Sequence, residues 1–294
     1  MAKRSIIPFG PQHPVLPEPV HLDLVLEDET VVGVIPSIGY VHRGLEKLVD
    51  KRDYKQYTYV AERICGICSC GHGLGYCLAV EQIMNIEVPD RARYLRTIWV
   101  EMSRVHSHLL WLGLLADAMG FESLHMESWR LREKILDMFD ETTGGRIIHS
   151  VNQVGGVQKD MDSTMLNDIL HAIDDIEKQM KPIVKTFLHD YTVQSRLKGV
   201  GVLSKDDALA QGAVGPMLRA SGVEYDARLL GYGAYKDLTV EPIISKDGDS
   251  YGRCEVRLKE LFQSFDLIRE AIGKIPQGDI SVPVKGNPDG EYFV

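Results

Sequence analysis

The chain has 294 residues, 44% of them hydrophobic, and 42 acidic against 33 basic side chains give it a net charge of −9. That apolar content suffices for a sizeable core in one large domain or two closely packed ones, and the acidic balance excludes nucleic acid as the main partner, which calls for a basic face. Four of the five cysteines (Cys65, Cys68, Cys70 and Cys77) fall within thirteen residues, a spacing that suits a metal site better than a secreted disulfide framework.

At the N-terminus, Met1-Ala2-Lys3-Arg4 is not followed by an apolar stretch, so no ordinary signal peptide is expected. The first forty residues read as extended. His21 to Leu26 alternates, Asp28-Glu29 supplies a turn, and Thr30 to Ile35 is β-branched, which together predict a hairpin. From about Tyr54 to Asp190 the pattern is helical. Leu95, Ile98, Met102, Val105, Leu109 and Leu112 recur at spacings of three and four, predicting a long amphipathic helix over Arg91 to Met119, opened by Pro89-Asp90 and stopped by Gly120. A second helix is expected over Ser123 to Phe139, ending before Thr142-Thr143-Gly144-Gly145. A third runs from Asp162 to His189, with Pro182 as a kink. Beyond Gly199 the chain reads as mixed and glycine-rich, with a helix start at Ser204-Lys205-Asp206-Asp207. No run reaches the roughly 18 apolar residues of a membrane-spanning helix. The expected fold is mainly α: one domain over 1–294, with a β-rich part (1–50) forming a small antiparallel sheet, a long-helix bundle (51–195) and a mixed α+β portion (196–294).

The chemistry concentrates in Glu62-Arg63-Ile64-Cys65-Gly66-Ile67-Cys68-Ser69-Cys70-Gly71-His72. Thiolates are soft ligands, and two residues between them let both sulfurs reach one metal atom. Arg63 would favour the thiolate form and balance its charge, or would simply be a helix-packing ion-pair partner. Spacing alone leaves three ligand sets open: a structural zinc on Cys65, Cys68, Cys70 and His72, an iron–sulfur cluster on Cys65, Cys68, Cys70 and Cys77, or another soft metal. Glu101, Arg104, His106 and His108 on the long helix could relay protons, although satisfied packing residues are the commoner outcome. Arg91, Arg93 and Arg96 read as a solvated or subunit-facing edge, and Trp99, Trp111 and Trp129 as core.

Further motifs are spread along the chain: Gly10-Pro11-Gln12-His13-Pro14 with Glu18-Pro19, His42-Arg43-Gly44-Leu45-Glu46-Lys47, Asn85 to Pro89, Gly144-Gly145-Arg146, Gly155-Gly156-Val157, and Gly215 to Gly222 with Asp226 and Arg228, then Asp249, Tyr251 and Arg253. In this order they resemble the large subunit of the nickel–iron hydrogenases. The resemblance is to the energy-converting, membrane-associated branch related to the 49 kDa-type, quinone-reducing subunit of respiratory complex I. The complex I subunits have lost the cysteines, and Arg63, Cys65, Cys68 and His72 therefore favour the hydrogenases.

By that resemblance Cys65 is a terminal nickel ligand, Cys68 bridges nickel and iron, and His72 donates to the bridging sulfur without being a ligand. Glu18 matches the first proton acceptor. The bland reading of Glu18 is an exposed loop glutamate. Glu46 would be a buried ion-pair member or further proton carrier, and His13, which helps bind quinone in complex I, would hold its loop. The implied activity is H2 ⇌ 2H⁺ + 2e⁻ at a Ni-Fe centre. Electrons would pass to Fe-S clusters on a small-subunit partner, and membrane-embedded subunits would keep the chain on the inner face of the cell membrane. The alternative is a complex I-like quinone-module or assembly paralogue. One departure is plain: the hydrogenases carry a second Cys-x-x-Cys, and this sequence has only the solitary Cys254 beyond the first cluster. Gly290 to Val294 reads as an unfinished strand, so the expectation is a fragment or truncated form, inactive as hydrogenase as it stands.

Overall fold

A computed structural model of the chain describes residues 4–14, 16 and 18–294. It divides into two compact units, Met1–Arg52 and Asp53–Val294. In the first, β1 (Arg4–Phe9), β2 (His21–Glu27) and β3 (Thr30–Ser37) form an antiparallel sheet in the order β1-β2-β3. The expected hairpin is β2–β3, with Glu27 opposite Thr30 across the Asp28-Glu29 turn and a bulge at Val25/Leu26. Asp28 takes the left-handed conformation (φ 54°) that so short a hairpin loop requires. The short helix α1 (Leu45–Val49) completes this unit.

The second unit is helical: α2 (Tyr54–Ala61), α3 (Ser69–Ile83), α4 (Asp90–Ala118), α5 (Glu122–Thr143), α6 (Ser163–His189), α7 (Tyr191–Leu197), α8 (Lys205–Ala210), α9 (Gly215–Ala220) and α10 (Ser250–Lys274). A two-stranded ladder, β4 (Asn152–Gln153) and β5 (Gly156–Val157), lies between α5 and α6. Helix α4 is the axis of the core. All six apolar positions of its stripe are completely buried, each contributing about 1.5–3 kcal/mol by area. Helix α5 runs antiparallel to it. The Ser128 hydroxyl donates to the Leu109 carbonyl, His125 meets that of Gly113, and Trp99 Nε1 donates to the Thr142 hydroxyl. Helix α10 packs on the other side of α4, and α6 packs on both α5 and α10 through Leu166, Ile169, Ile173, Ile176 and Met180.

Several expectations change. Helix α5 continues to Thr143 because the hydroxyls of Thr142 and Thr143 bond back to the carbonyls of Met138 and Phe139, both at 2.7 Å, and Gly144 then ends it at φ 76°. Pro182 lies inside α6 without ending it. In the portion 196–294, expected as mixed, the β content is a single bridge between Ser281 and Gly156, and α10 dominates. Gly290 to Val294 is irregular chain, not a strand. Arg91 and Arg96 are buried and not on an edge. Arg96 pairs with Glu81 through two hydrogen bonds of 2.6 and 2.9 Å and donates to the carbonyls of Gln153 and Gly156, and Arg91 pairs with Asp160. Trp99 is core as expected, whereas Trp129 is 36% exposed. No helix among the described residues is long and apolar enough to cross a membrane.

Candidate metal centre

The cysteine motif occupies the junction between α2 and α3. A single 3-10 turn, Glu62–Ile64, ends α2, Cys65 is extended, and Cys68 is the N-cap of α3. The His72 backbone N–H donates to the Cys68 carbonyl at 3.1 Å, so His72 stands one helical turn above Cys68 on the same face. The loop is pinned from two sides. The Ser69 hydroxyl donates to the Ile147 carbonyl (2.7 Å), and Ser103 of α4 reaches the Ile67 carbonyl (3.5 Å).

This geometry brings Cys65 Sγ, Cys68 Sγ and a ring nitrogen of His72 within 4.8 Å of one another. Metal–sulfur and metal–imidazole bonds of about 2.3 and 2.0 Å span such a triangle. Cys68 is exposed, while Cys65 and His72 are half-buried. Burial lowers the His72 pKa and keeps the imidazole in the neutral form that can coordinate. The Ile67 N–H donates to Cys65 Sγ at 3.4 Å, and the N-terminus of α3 at Cys68 favours negative charge there.

Cys70 and Cys77 take no part. Both are completely buried in the core. Cys70 Sγ faces the Asn152 amide at 3.8 Å and Cys77 Sγ the Thr58 hydroxyl at 4.0 Å, and burial pushes both thiols up to about 12. The four-ligand zinc set and the four-cysteine cluster both need Cys70 beside Cys65 and Cys68, so neither is assembled.

The remaining sequence candidates are distributed as follows. Arg63 is exposed, and its Nη1 donates to the Tyr59 carbonyl of the preceding helical turn at 2.6 Å. Glu18, His13 and Glu46 belong to the unit Met1–Arg52. There Glu18 is exposed, and the His13 ring lies 4.1 Å from that of Phe9. Glu46, expected to be buried, is an exposed residue 3.5 Å from His42.

On α4 these polar residues pair with one another and with neighbouring elements, while His108 Nδ1 is buried without a hydrogen-bond partner among the described residues. Burial, with the charges of Arg132 and His149 adding to it, lowers the His106 pKa to about 3, and its Nδ1 accepts from Arg132 Nε at 3.0 Å. His108 bonds Glu260 of α10 at 3.0 Å, and Arg219 bonds the same carboxylate. Glu101 pairs with Arg104 and Arg228, accepts from the Tyr235 hydroxyl, and leaves Arg228 to hold Asp226. Arg219, Asp226 and Arg228, dispersed in the sequence, thus meet in one buried network. A cavity of about 570 Å³ lies at the α4–α5 corner between Phe121, Leu124, Pro182 and Phe187. It starts 17 residues along from Ser103, roughly 25 Å by helical rise, and contains none of the candidate residues.

The family described as respiratory-chain NADH dehydrogenase, 49 Kd subunit, matches residues 118–287, and that described as nickel-dependent hydrogenase matches 43–119, the stretch that contains the cysteines. The membrane-bound hydrogenase subunit alpha of Pyrococcus furiosus is 39% identical over 289 residues, covering 96% of this chain and 68% of the relative. The chain belongs to the 49 Kd subunit family. A subunit of the F(420)H(2) dehydrogenase of Methanosarcina mazei is 36% identical (99% of this chain, 81% of the relative). A subunit of the NADH-quinone oxidoreductase of Chloroherpeton thalassium is 38% identical (95% and 64%). A chain of the membrane-bound sulfane sulfur reductase, an archaeal respiratory membrane complex, superposes with a TM-score of 0.91 at 31% identity (95% and 76%). This 49 Kd family member therefore spans between about two thirds and four fifths of these relatives, and it is an oxidoreductase-family subunit with a mainly helical fold.

Proposed function

We propose that the chain carries the first thiolate pair of the large subunit of an energy-converting nickel–iron hydrogenase, whose complete centre would catalyse H2 ⇌ 2H⁺ + 2e⁻. The observation that carries this reading is the convergence of two thiols and a neutral imidazole at the start of α3. Such a soft donor set suits a late transition metal, and Cys65 and Cys68 would supply two thiolates of the centre with His72 beside them, the second Cys-x-x-Cys pair being absent from this sequence. When bound, a nickel–iron centre supplies the Lewis acidity that polarises H2 and the capacity to take up its two electrons. The protein supplies the rest. The N–H of Ile67 and the N-terminus of α3 favour negative sulfur, Arg63 adds positive charge to the loop, and the core behind Cys70 and Cys77 keeps water from that side. Glu18 would take the proton and return it, with His13 and Glu46 in supporting roles. Electrons would leave to an Fe-S small subunit, and membrane-embedded partners would hold the chain at the inner face of the membrane, in keeping with the membrane-bound complexes to which the named relatives belong.

One observation favours a second reading. The 49 Kd subunit match covers a longer stretch than the hydrogenase match, as a quinone-module paralogue would. Metal analysis of a full-length version that carries a second Cys-x-x-Cys, purified in its complex, separates the two. Nickel retained by the wild type and lost in both Cys65→Ser and Cys68→Ser supports the hydrogenase reading, because Ser is a poor ligand for soft metals. Full nickel in either variant overturns the ligand assignment, and a nickel-free complex that binds quinone selects the paralogue.

A further inference from the structure

A bimetallic centre of the hydrogenase type takes two thiolate pairs, and the described residues at the start of α3 supply one pair and an imidazole. These donors do not fit two metals. They fit one. Tetrahedral bonds of about 2.3 Å to sulfur and 2.0 Å to nitrogen hold their donors roughly 3.5–3.8 Å apart. Cys65 Sγ, Cys68 Sγ and a His72 ring nitrogen already lie within 4.8 Å of one another, so shifts of about 1 Å or less bring all three onto a single ion.

The backbone sets the three donors there. The first turn of α3 stacks His72 on Cys68 through the 3.1 Å bond between His72 N–H and the Cys68 carbonyl, and the Ile67 N–H holds Cys65 Sγ. No fourth Cys, His, Asp or Glu among the described residues joins them. Cys70 is turned into the core against Asn152. Glu62, in the 3-10 turn before Cys65, is completely buried, and its Oε2 accepts from the Ser150 N–H (2.8 Å) and hydroxyl (3.1 Å). Its side chain fills the space that Gly73 leaves on the inner side of α3, where a Cβ would stand 2.7 Å from Glu62 Cγ. The outer side is different. Cys68 and Gly71 are exposed, and a Cβ added at Gly71 would meet nothing within 4 Å.

We propose that Cys65, Cys68 and His72 are the three protein ligands of a single zinc-type divalent ion, whose fourth position holds a water that a small thiolate can replace. Two thiolates balance the two positive charges of the ion, so the half-buried site carries no net charge. Three protein donors with one exchangeable position are the arrangement of reactive zinc sites, whereas structural sites close all four. His72 is then a ligand, and not the donor to a bridging sulfur that the hydrogenase resemblance implies. The proposal shares with the hydrogenase reading only the roles of Cys65 and Cys68 as metal ligands.

The test uses the 294-residue chain, reduced and freed of metal, with Co²⁺ as a coloured stand-in for zinc. Titration should saturate at one cobalt per chain, with the visible bands of a four-coordinate ion and a near-ultraviolet thiolate-to-cobalt band, and zinc should displace both. Added 2-mercaptoethanol should raise the thiolate band by about half, because two coordinated thiolates become three. His72→Cys should give the same rise without added thiol, and Cys68→Ser, a change at an exposed position, should lose half of the band or more. X-ray absorption of the zinc-loaded wild type should show an imidazole shell that His72→Ala lacks. A wild-type chain that binds no cobalt, that saturates at two ions, that lacks the imidazole shell, or whose thiolate band ignores added thiol overturns the proposal. A full-length subunit with the second Cys-x-x-Cys that takes up no nickel overturns the hydrogenase reading instead and leaves the single-ion site standing.

Discussion

Glu18→Gln keeps nearly the native volume and one acceptor oxygen but cannot shuttle a proton near neutral pH. In a full-length subunit that carries the second Cys-x-x-Cys, the variant should assemble with normal nickel and iron and lose roughly 10²–10⁴-fold in H2–D2O exchange, and exchange at the wild-type rate would remove Glu18 from the proton route. A second residue-scale prediction concerns Gly73. Alanine there is the better helix former, yet its Cβ would meet the Glu62 side chain, so Gly73→Ala should lower stability by about 1–3 kcal/mol. A denaturant midpoint at or above that of the wild type would mean that Glu62 moves aside freely. The candidate metal residues are legible in the sequence because Cys-x-x-Cys followed by His72 is a local pattern, and one turn of helix between Cys68 and His72 suffices to bring them together. Glu62 is not, although it stands beside the motif. Its distinction is the absence of an ion pair among the described residues and the approach of Ser150, 88 residues away, neither of which leaves a mark at position 62.

At the scale of elements, the Glu81–Arg96 pair ties α3 to α4 and, through the Gln153 and Gly156 carbonyls, to the β4–β5 ladder. Glu81→Gln leaves a buried guanidinium without its counter-charge and should cost about 3–5 kcal/mol, whereas the double change Glu81→Leu with Arg96→Met should recover most of that. A double-mutant cycle on denaturant midpoints measures the coupling, and a coupling near zero would show that the carbonyls alone hold Arg96. Helices α4 and α6 are legible because their stripes are long and uninterrupted. Helix α10 has an equally regular buried series at Cys254, Leu258, Leu261, Phe265 and Ile268, with Asp249 accepting from the Gly252 N–H at 2.8 Å as its cap. The dense glycines before it point to turns and mask that periodicity. The arginines of α4 mislead for a different reason. A charged residue on a helix looks solvated unless its partner is known, and the partners Glu81 and Asp160 come from other elements.

For the molecule as a whole, acid lability follows from its buried titratable groups. His106 and His149 are held by burial at about 3 and about 4, below the ordinary 6.5. As pH falls below 6.5 the unfolded chain binds these protons first, so stability drops by up to about 1.4 kcal/mol per pH unit for each group until the folded values are reached. At Glu260 and Asp226 burial raises the pKa, but hydrogen bonds and charges from His108 and Arg228 outweigh it and hold both carboxyls at about 2, so their contribution disappears between the ordinary carboxylate range and that value. Glu62, raised by burial, acts in the opposite sense and favours the folded state at low pH. The melting temperature should therefore fall between pH 7 and 5, and His106→Gln, which keeps an acceptor for Arg132, should flatten that slope. An unchanged slope would mean that His106 titrates alike in both states. The placement of the five cysteines carries one more consequence. Cys70, Cys77 and Cys254 are buried and held by burial at about 12, while Cys68 is exposed with Cys65 half-buried beside it. A thiol-alkylating reagent applied to the folded protein should stop at two adducts per chain, and a metal seated on those sulfurs should bring that number to zero. A mass spectrum of the intact, alkylated chain would thus count occupied sites molecule by molecule without any assay for hydrogen.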